Sequence, residues 1–230
     1  MLLIVASVNA TEEKQVMVHS AGWELIGDLR LPDSEGKVPA VLLLNKAAGD
    51  RRVYEELAAQ LAERGVASLR LDLRGHGEST NLDRFVPGES DREARDIMIA
   101  GADEDVIAVR RFLASHPRID PQRVGIVGAS YSGEEMADAG RKDIYANAYV
   151  ALSPGSFSDE SINSMDESKV PWLFVAAKED RFLREIVAAV QSATQTVEIL
   201  YLPGDAHGTN ILISHPEMAE RIAVWLAMQL

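Results

Sequence analysis

The feature that most constrains the fold of this sequence is a regular alternation of short apolar runs with amphipathic helical patterns. The apolar runs lie at 39–45, 66–72, 123–128, 146–152, 171–177 and 196–202. Helical patterns lie at 51–65, 99–117, 132–142, 182–193 and 215–229. Nearly continuous apolar runs are typical of parallel strands covered on both faces. We therefore predict an α/β fold with a doubly wound, mostly parallel sheet, whose ligands bind beyond the carboxyl ends of the strands.

The N-terminal part of the chain departs from this alternation. Residues 15–32 alternate apolar and polar side chains around a glycine-containing turn, which predicts an antiparallel hairpin. Residues 1–10, MLLIVASVNA, end in small residues like a secretory cleavage site, but no basic segment precedes the apolar run. Two interpretations stay open: a signal-peptide remnant of a secreted or periplasmic protein, or an N-terminal strand of a cytoplasmic one. The missing basic segment slightly favours the second.

Length and composition limit the possible functions. With 230 residues, the chain is expected to form a single domain, 1–230, around one core. Its formal net charge of −13 repels phosphate backbones, so we expect no nucleic-acid partner. No apolar stretch approaches the roughly 20 residues that span a bilayer. Because cysteine is absent, thiolate chemistry is excluded and any nucleophile must be an oxygen or a lysine.

Residues 125–136, GIVGASYSGEEM, place Ser130 between a predicted strand and a predicted helix. A tight strand–turn–helix exposes the central hydroxyl at the sheet edge and points the helix N-terminus towards it. The small residues Gly128 and Ser132 flank Ser130, but Ser132 replaces the second glycine of the usual G-x-S-x-G pattern. By itself this stretch is compatible with a nucleophile and with an ordinary turn.

Two later residues supply possible partners for Ser130. Asp180 follows the run at 171–177, and His207 follows the last run. A serine hydroxyl needs an imidazole to accept its proton and a carboxylate to orient that imidazole. The chain order Ser, Asp, His is the order of α/β-hydrolase-type triads, so we predict Ser130, Asp180 and His207 as the catalytic residues. Glu179 and Asp205 are the alternative carboxylates.

The remaining histidines and the oxyanion donors can also be placed. Surface, capping or turn positions are predicted for the other four histidines, which are His19, His76, His116 and His215. An oxyanion would be bound by two backbone N–H groups, those of Tyr131 and Ala47. The neighbouring Lys46 either extends to solvent or adds a cation for substrate binding beside the site.

The motifs VGIVGASYSG, LRLDLRGHGES, KEDRF and DAHG, in this order, make the chain resemble the α/β-hydrolase superfamily. It is most similar to small, lid-poor serine esterases akin to dienelactone hydrolases. The resemblance runs from about residue 15 to the C-terminus and implies an α/β-hydrolase fold with Ser130, Asp180 and His207 as nucleophile, acid and base. Two departures concern the site: Asn45-Lys46 stands where the family often has His-Gly, and dienelactone hydrolases proper use a cysteine nucleophile.

These observations lead to one main hypothesis and two alternatives. The main hypothesis is a hydrolase of small or short-acyl carboxylic esters, with a small-molecule substrate, no cofactor and no metal. A serine peptidase or amidase could use the same triad. A non-enzymatic binding protein could be built on the same fold, and the unusual Asn45-Lys46 loop favours that alternative. The oligomeric state and the acyl and alcohol specificity are not predicted.

Overall fold

A computed structural model describes most of the chain: residues 11–86, 101–142, 146–155, 157–180, 182–184, 187–188, 190 and 197–230. The alternatives raised for residues 1–10 lie outside the described residues. So do residues 99–100 of the predicted helix 99–117 and parts of the predicted helix 182–193.

The described strands form one eight-stranded sheet of order β1-β2-β4-β3-β5-β6-β7-β8. Their bounds are β1 Glu12–Ser20, β2 Trp23–Leu31, β3 Val38–Leu44, β4 Ala67–Leu71, β5 Ile119–Ala129, β6 Ala148–Leu152, β7 Trp172–Ala177 and β8 Val197–Leu202. Strands β1 and β2 are antiparallel to each other, and β2 is antiparallel to β4. From β4 to β8 in spatial order, all neighbours are parallel. The predicted fold class is confirmed.

Helices cover both faces of this sheet. Their bounds are α1 Glu55–Glu63, α2 Ala102–Ser115, α3 Tyr131–Lys142, α4 Asp159–Ser168, α5 Asn210–Ser214 and α6 Glu217–Gln229. Buried side chains of α2, α3 and α4 pack on one face, and those of α1, α5 and α6 pack on the other. Central strands serve both cores, as β3 shows: Leu42 and Leu44 face the first core, and Val41 and Leu43 face the second. This double cover explains the continuous apolar runs.

The N-terminal hairpin forms as predicted. Strands β1 and β2 pair from Glu12 opposite Leu31 to Ser20 opposite Trp23. The two residues between them, Ala21 and Gly22, have φ of 46° and 88°. Positive φ at both positions is the geometry of a tight two-residue turn that suits the twist of paired strands.

One part of the predicted organisation was wrong. No helix is predicted between the apolar runs at 146–152 and 171–177, but α4 lies there. Ser158 caps this helix by accepting a hydrogen bond from the Ser161 N–H at 3.1 Å, and Met165 anchors it in the core. The sequence of α4 is mostly polar, so its few apolar residues gave little helical periodicity, while its N-cap serine and acidic first turn favour a helix start.

The C-terminal helical region is also more divided than predicted. A short helix, α5, precedes α6, and His215 and Pro216 lie between them. Within the ranges that can be described, no helix is both long enough and apolar enough to cross a membrane.

Candidate active site

Ser130 lies at the carboxyl end of β5, directly before α3. Its φ of 56° places a non-glycine residue in the left-handed region, which typically costs about 1–3 kcal/mol. Three backbone hydrogen bonds hold it there. The Ser130 N–H donates to the Leu152 carbonyl at 3.0 Å, and the Ser130 carbonyl accepts from Gly133 at 2.9 Å and Gly155 at 3.2 Å. The strained turn therefore belongs to a fixed part of the sheet edge.

The residues around Ser130 explain why the imperfect motif still forms this turn. A Cβ atom on Gly128 would lie 2.6 Å from the Ser132 carbonyl oxygen, so β5 and α3 can approach this closely only with glycine there. Ser132 is buried, and its Oγ accepts a hydrogen bond from the Ala129 N–H at 2.7 Å. The same hydroxyl lies 3.3 Å from the Leu44 carbonyl of β3. Ser132 thus ties the turn to the neighbouring strand.

The three predicted triad residues form one hydrogen-bonded chain. His207, which follows β8, has Nε2 at 2.9 Å from Ser130 Oγ, and its Nδ1–H donates to Asp180 Oδ2 at 2.7 Å. Asp180 is buried, whereas the alternative carboxylates Glu179 and Asp205 are exposed. Because His207 Nδ1 carries the proton in this arrangement, Nε2 is free to accept one from the Ser130 hydroxyl.

Asn45 fixes the shape of the loop that follows β3. Its side chain is fully buried, and its Oδ1 accepts from the Leu73 N–H at 2.9 Å. Its Nδ2 donates to the Lys46 carbonyl at 2.9 Å and lies 3.4 Å from the Gly49 carbonyl. The Gly49 N–H closes a turn onto the Lys46 carbonyl at 3.0 Å. The residue that departs from the usual family pattern is therefore the one that organises this loop.

Lys46 lies beside the hydrogen-bonded chain rather than extending fully into solvent. A Cβ atom added to Gly208 would meet Lys46 Cδ at 3.0 Å and Ser130 Cβ at 3.6 Å, so the Lys46 stem passes over the residue after His207. Its Nζ donates to the Ala47 carbonyl at 3.3 Å. Ala47 is half-buried and packs against the core. The Lys46 stem therefore lies close to Gly208 and Ser130, and its ammonium group is bound to the Ala47 carbonyl.

An aromatic stack borders the other side of the turn. The His76 ring lies between Phe85 and Tyr131, with ring centroids at 5.2 Å and 5.8 Å. Its Nδ1–H donates to the Arg74 carbonyl at 2.9 Å, as expected of a structural turn residue. Burial lowers the pKa of His76 and raises the pKa of Tyr131 well above its usual value. Both side chains are therefore neutral at pH 7, and His76 contributes no charge to the site.

Glu135, on the first turns of α3, is a buried acid near this stack. Burial, together with the nearby carboxylates of Asp103, Asp138 and Glu134, raises the pKa of Glu135 to about 8. The folded protein thus holds this proton more tightly than the unfolded chain, in which a glutamate titrates near pH 4.5. Stability from this group is full below about pH 4.5 and is lost as the pH rises through about 8.

This linkage predicts the behaviour of Glu135→Gln, which cannot lose the proton. The variant should be at least about 1 kcal/mol more stable than the wild type at pH 9, with a much smaller difference at pH 5. Urea unfolding at both pH values measures this, and the exposed Glu160→Gln is the matched control. A Glu135→Gln effect that does not change between pH 5 and pH 9 would contradict the shifted pKa.

Comparisons with curated proteins give relatives whose length this chain covers to different extents. The chain is 29% identical over 144 residues to an uncharacterized 31.7 kDa protein from the traX-finO intergenic region of Escherichia coli, covering 61% of this chain and 46% of that protein. It is 23% identical over 209 residues to a probable 2-oxo-3-(5-oxofuran-2-ylidene)propanoate lactonase of Bradyrhizobium sp, covering 84% of this chain and 82% of the relative. The chain thus spans less than half of the length of the first of these two relatives.

Structural and family comparisons agree on the architecture. The esterase Pf2001 of Pyrococcus furiosus superposes with a TM-score of 0.73 at 17% identity, covering 95% of this chain and 93% of that chain. It shares the α/β-hydrolase fold. The model of the dienelactone hydrolase family matches residues 27–216, a range that includes Ser130, Asp180 and His207. Since this match extends from within β2 to the residue before α6, the chain belongs to the dienelactone hydrolase family.

Proposed function

We propose that this protein is a serine hydrolase that cleaves small or short-acyl carboxylic esters through an acyl-enzyme. The observation that carries the proposal is the continuous chain from Ser130 Oγ to His207 Nε2, at 2.9 Å, and from His207 Nδ1 to Asp180 Oδ2, at 2.7 Å. A hydroxyl, an imidazole and a buried carboxylate in hydrogen-bond reach are what activation of a serine nucleophile requires.

Each group has a defined part in the proposed reaction. His207 Nε2 takes the proton from Ser130 as Oγ attacks the ester carbonyl carbon, and Asp180 stabilises the imidazolium that forms. His207 then gives that proton to the alcohol oxygen, the C–O bond breaks, and the acyl group stays on Ser130. Water, deprotonated by His207, attacks the acyl carbon; the bond to Ser130 Oγ then breaks, His207 returns the proton to Oγ, and the carboxylic acid is released.

The negative charge that develops on the carbonyl oxygen also needs donors. We assign the backbone N–H groups of Tyr131 and Ala47 to this oxyanion hole, because one follows the nucleophile and the other lies on the loop after β3. The loop geometry fixed by Asn45 supports the second assignment. Lys46, whose stem lies beside Ser130, is proposed to bind substrate with its positive charge directed at the oxygen-rich face of the ester.

Two features favour small esters over other acyl substrates. In the segment 153–169, where a lid could be inserted, the described residues form a single short helix, α4, which packs on the sheet through Met165. In addition, the relatives include a probable lactonase and the structural neighbours include an esterase; a lactone is an internal ester. Ser130 stands where dienelactone hydrolases proper have a cysteine. We therefore propose ester hydrolysis for this protein, but not a dienelactone as its substrate.

A substrate comparison tests this proposal against its alternatives. We expect p-nitrophenyl acetate and butyrate to be hydrolysed with a kcat/KM at least about 100-fold above that for aminoacyl p-nitroanilides, because p-nitrophenolate leaves as an anion whereas the anilide nitrogen must be protonated as it leaves. Strong anilide turnover with negligible ester turnover would favour a peptidase or amidase. Saturable ligand binding without turnover of either class would favour a binding protein.

A further inference from the structure

Phe182 is an exposed aromatic residue beside the proposed catalytic histidine. It lies on the loop after β7, two residues beyond Asp180, and 51% of its surface is exposed, whereas Phe174 of the same strand–loop unit is fully buried. Its ring centroid lies 5.3 Å from that of His207, with the rings tilted by 54°. An apolar ring of this size, half exposed at a polar site, is surface available to an apolar group of a ligand.

The position of Phe182 is set by the same carboxylate that orients His207. The Phe182 N–H donates to Asp180 Oδ1 at 3.1 Å, while Asp180 Oδ2 accepts from His207 Nδ1 at 2.7 Å. The backbone of Phe182 and the imidazole are therefore held by the two oxygens of one buried side chain. This shared anchor holds the Phe182 backbone beside the proton-transferring group.

The chemistry of the proposed reaction places the alcohol part of the ester next to His207. His207 Nε2 must donate its proton to the leaving oxygen, so the alcohol part of the ester binds within hydrogen-bond reach of the imidazole, about 3 Å from Nε2. A ring whose centroid is 5.3 Å from the imidazole centroid is near enough to the imidazole to serve as one wall of that space. The acyl part, in contrast, lies towards Ser130 and the oxyanion donors.

We propose that Phe182 forms the alcohol subsite and that this subsite selects esters of aromatic alcohols through contact between the two rings. The proposal rests on the proposed serine hydrolase function and goes further by naming the leaving group. Offset or edge-to-face ring pairs provide stabilisation beyond simple burial, so an aromatic alcohol gains more at this place than a saturated ring of similar size.

Benzyl acetate and cyclohexylmethyl acetate test this directly, because their alcohols are similar in size and acidity and differ in aromaticity. For Phe182→Leu, which keeps apolar bulk but removes the π face, kcat/KM for benzyl acetate should fall about 3- to 10-fold. For cyclohexylmethyl acetate it should change less than about twofold. The rate of acyl-enzyme hydrolysis should be unchanged for both, since the alcohol has left by then.

The controls separate a specificity role from a merely structural one. Tyr201→Leu removes another exposed aromatic ring, on β8, and should leave the ratio of the two esters at the wild-type value. An equal loss for both esters in Phe182→Leu, or an altered pH profile of kcat/KM, would show that Phe182 only positions His207 and would overturn the inference. If the wild type hydrolyses neither these esters nor p-nitrophenyl acetate, the proposed function fails and the inference fails with it.

Discussion

Ser130→Ala is expected to lower kcat for p-nitrophenyl acetate by at least about 10⁴-fold, because no other described group takes the place of its hydroxyl on His207. The residual rate would come from oxyanion binding and substrate positioning alone. The variant should fold normally, since the turn at residue 130 is held by backbone hydrogen bonds that alanine can also make. Steady-state kinetics and urea unfolding of the purified variant measure both statements.

A matched serine variant gives the control for this loss. Ser115 is an exposed residue at the end of α2, and its hydroxyl bonds only locally, to the Phe112 carbonyl at 2.8 Å. Ser115→Ala should keep the wild-type kcat within about twofold. If Ser130→Ala retained more than about a tenth of wild-type kcat while folding normally, the assignment of the nucleophile would be wrong.

Asp180→Asn is expected to have the second largest effect, a fall in kcat of about 10⁴-fold, the size found for the equivalent change in a well-studied serine protease. An asparagine at this place can donate to His207 Nδ1 through its amide, which moves the imidazole proton to Nε2. The Nε2 atom, 2.9 Å from Ser130 Oγ, could then no longer accept the serine proton. The loss therefore comes from the wrong tautomer with little change in shape.

The two alternative carboxylates at the same sheet edge provide the matched comparison. Glu179 and Asp205 are exposed, and neither bonds to His207, whose Nδ1 is bound to Asp180. Glu179→Gln and Asp205→Asn should each change kcat less than about threefold. A loss in Asp205→Asn as large as that in Asp180→Asn would mean that the imidazole adopts a different partner during turnover.

The convergence of the three site residues could be predicted from the sequence because it depends on periodic patterns. Apolar runs covered on both faces indicated parallel strands, and the carboxyl ends of parallel strands meet at one edge. Ser130, Asp180 and His207 each follow such a run, so their convergence followed from topology before any distance was known. The hairpin followed from the alternation of residues 15–32 and the turn glycine Gly22.

The parts that sequence analysis missed depend on contacts between distant residues. Two hydrogen bonds join elements that are far apart in the chain: Asn45 accepts one from the Leu73 N–H, and the Ser132 hydroxyl donates one to the Leu44 carbonyl. Asn45 and Ser132 each depart from the usual sequence pattern. In the structure, each holds a loop or turn of the candidate site in place. Phe182 gave only one signal, its position two residues after a candidate acid. Its contact with His207 depends on how two loops meet.

Labelling with a fluorophosphonate, followed by peptide mass spectrometry, tests the central claim most directly, because the reagent reacts with an activated serine hydroxyl. We predict one covalent adduct per chain, on the peptide that contains Ser130, and no adduct in Ser130→Ala. Labelling should be strongly reduced in Asp180→Asn. A wild-type protein that stays unlabelled, or an adduct on a different residue that persists in Ser130→Ala, would contradict the account.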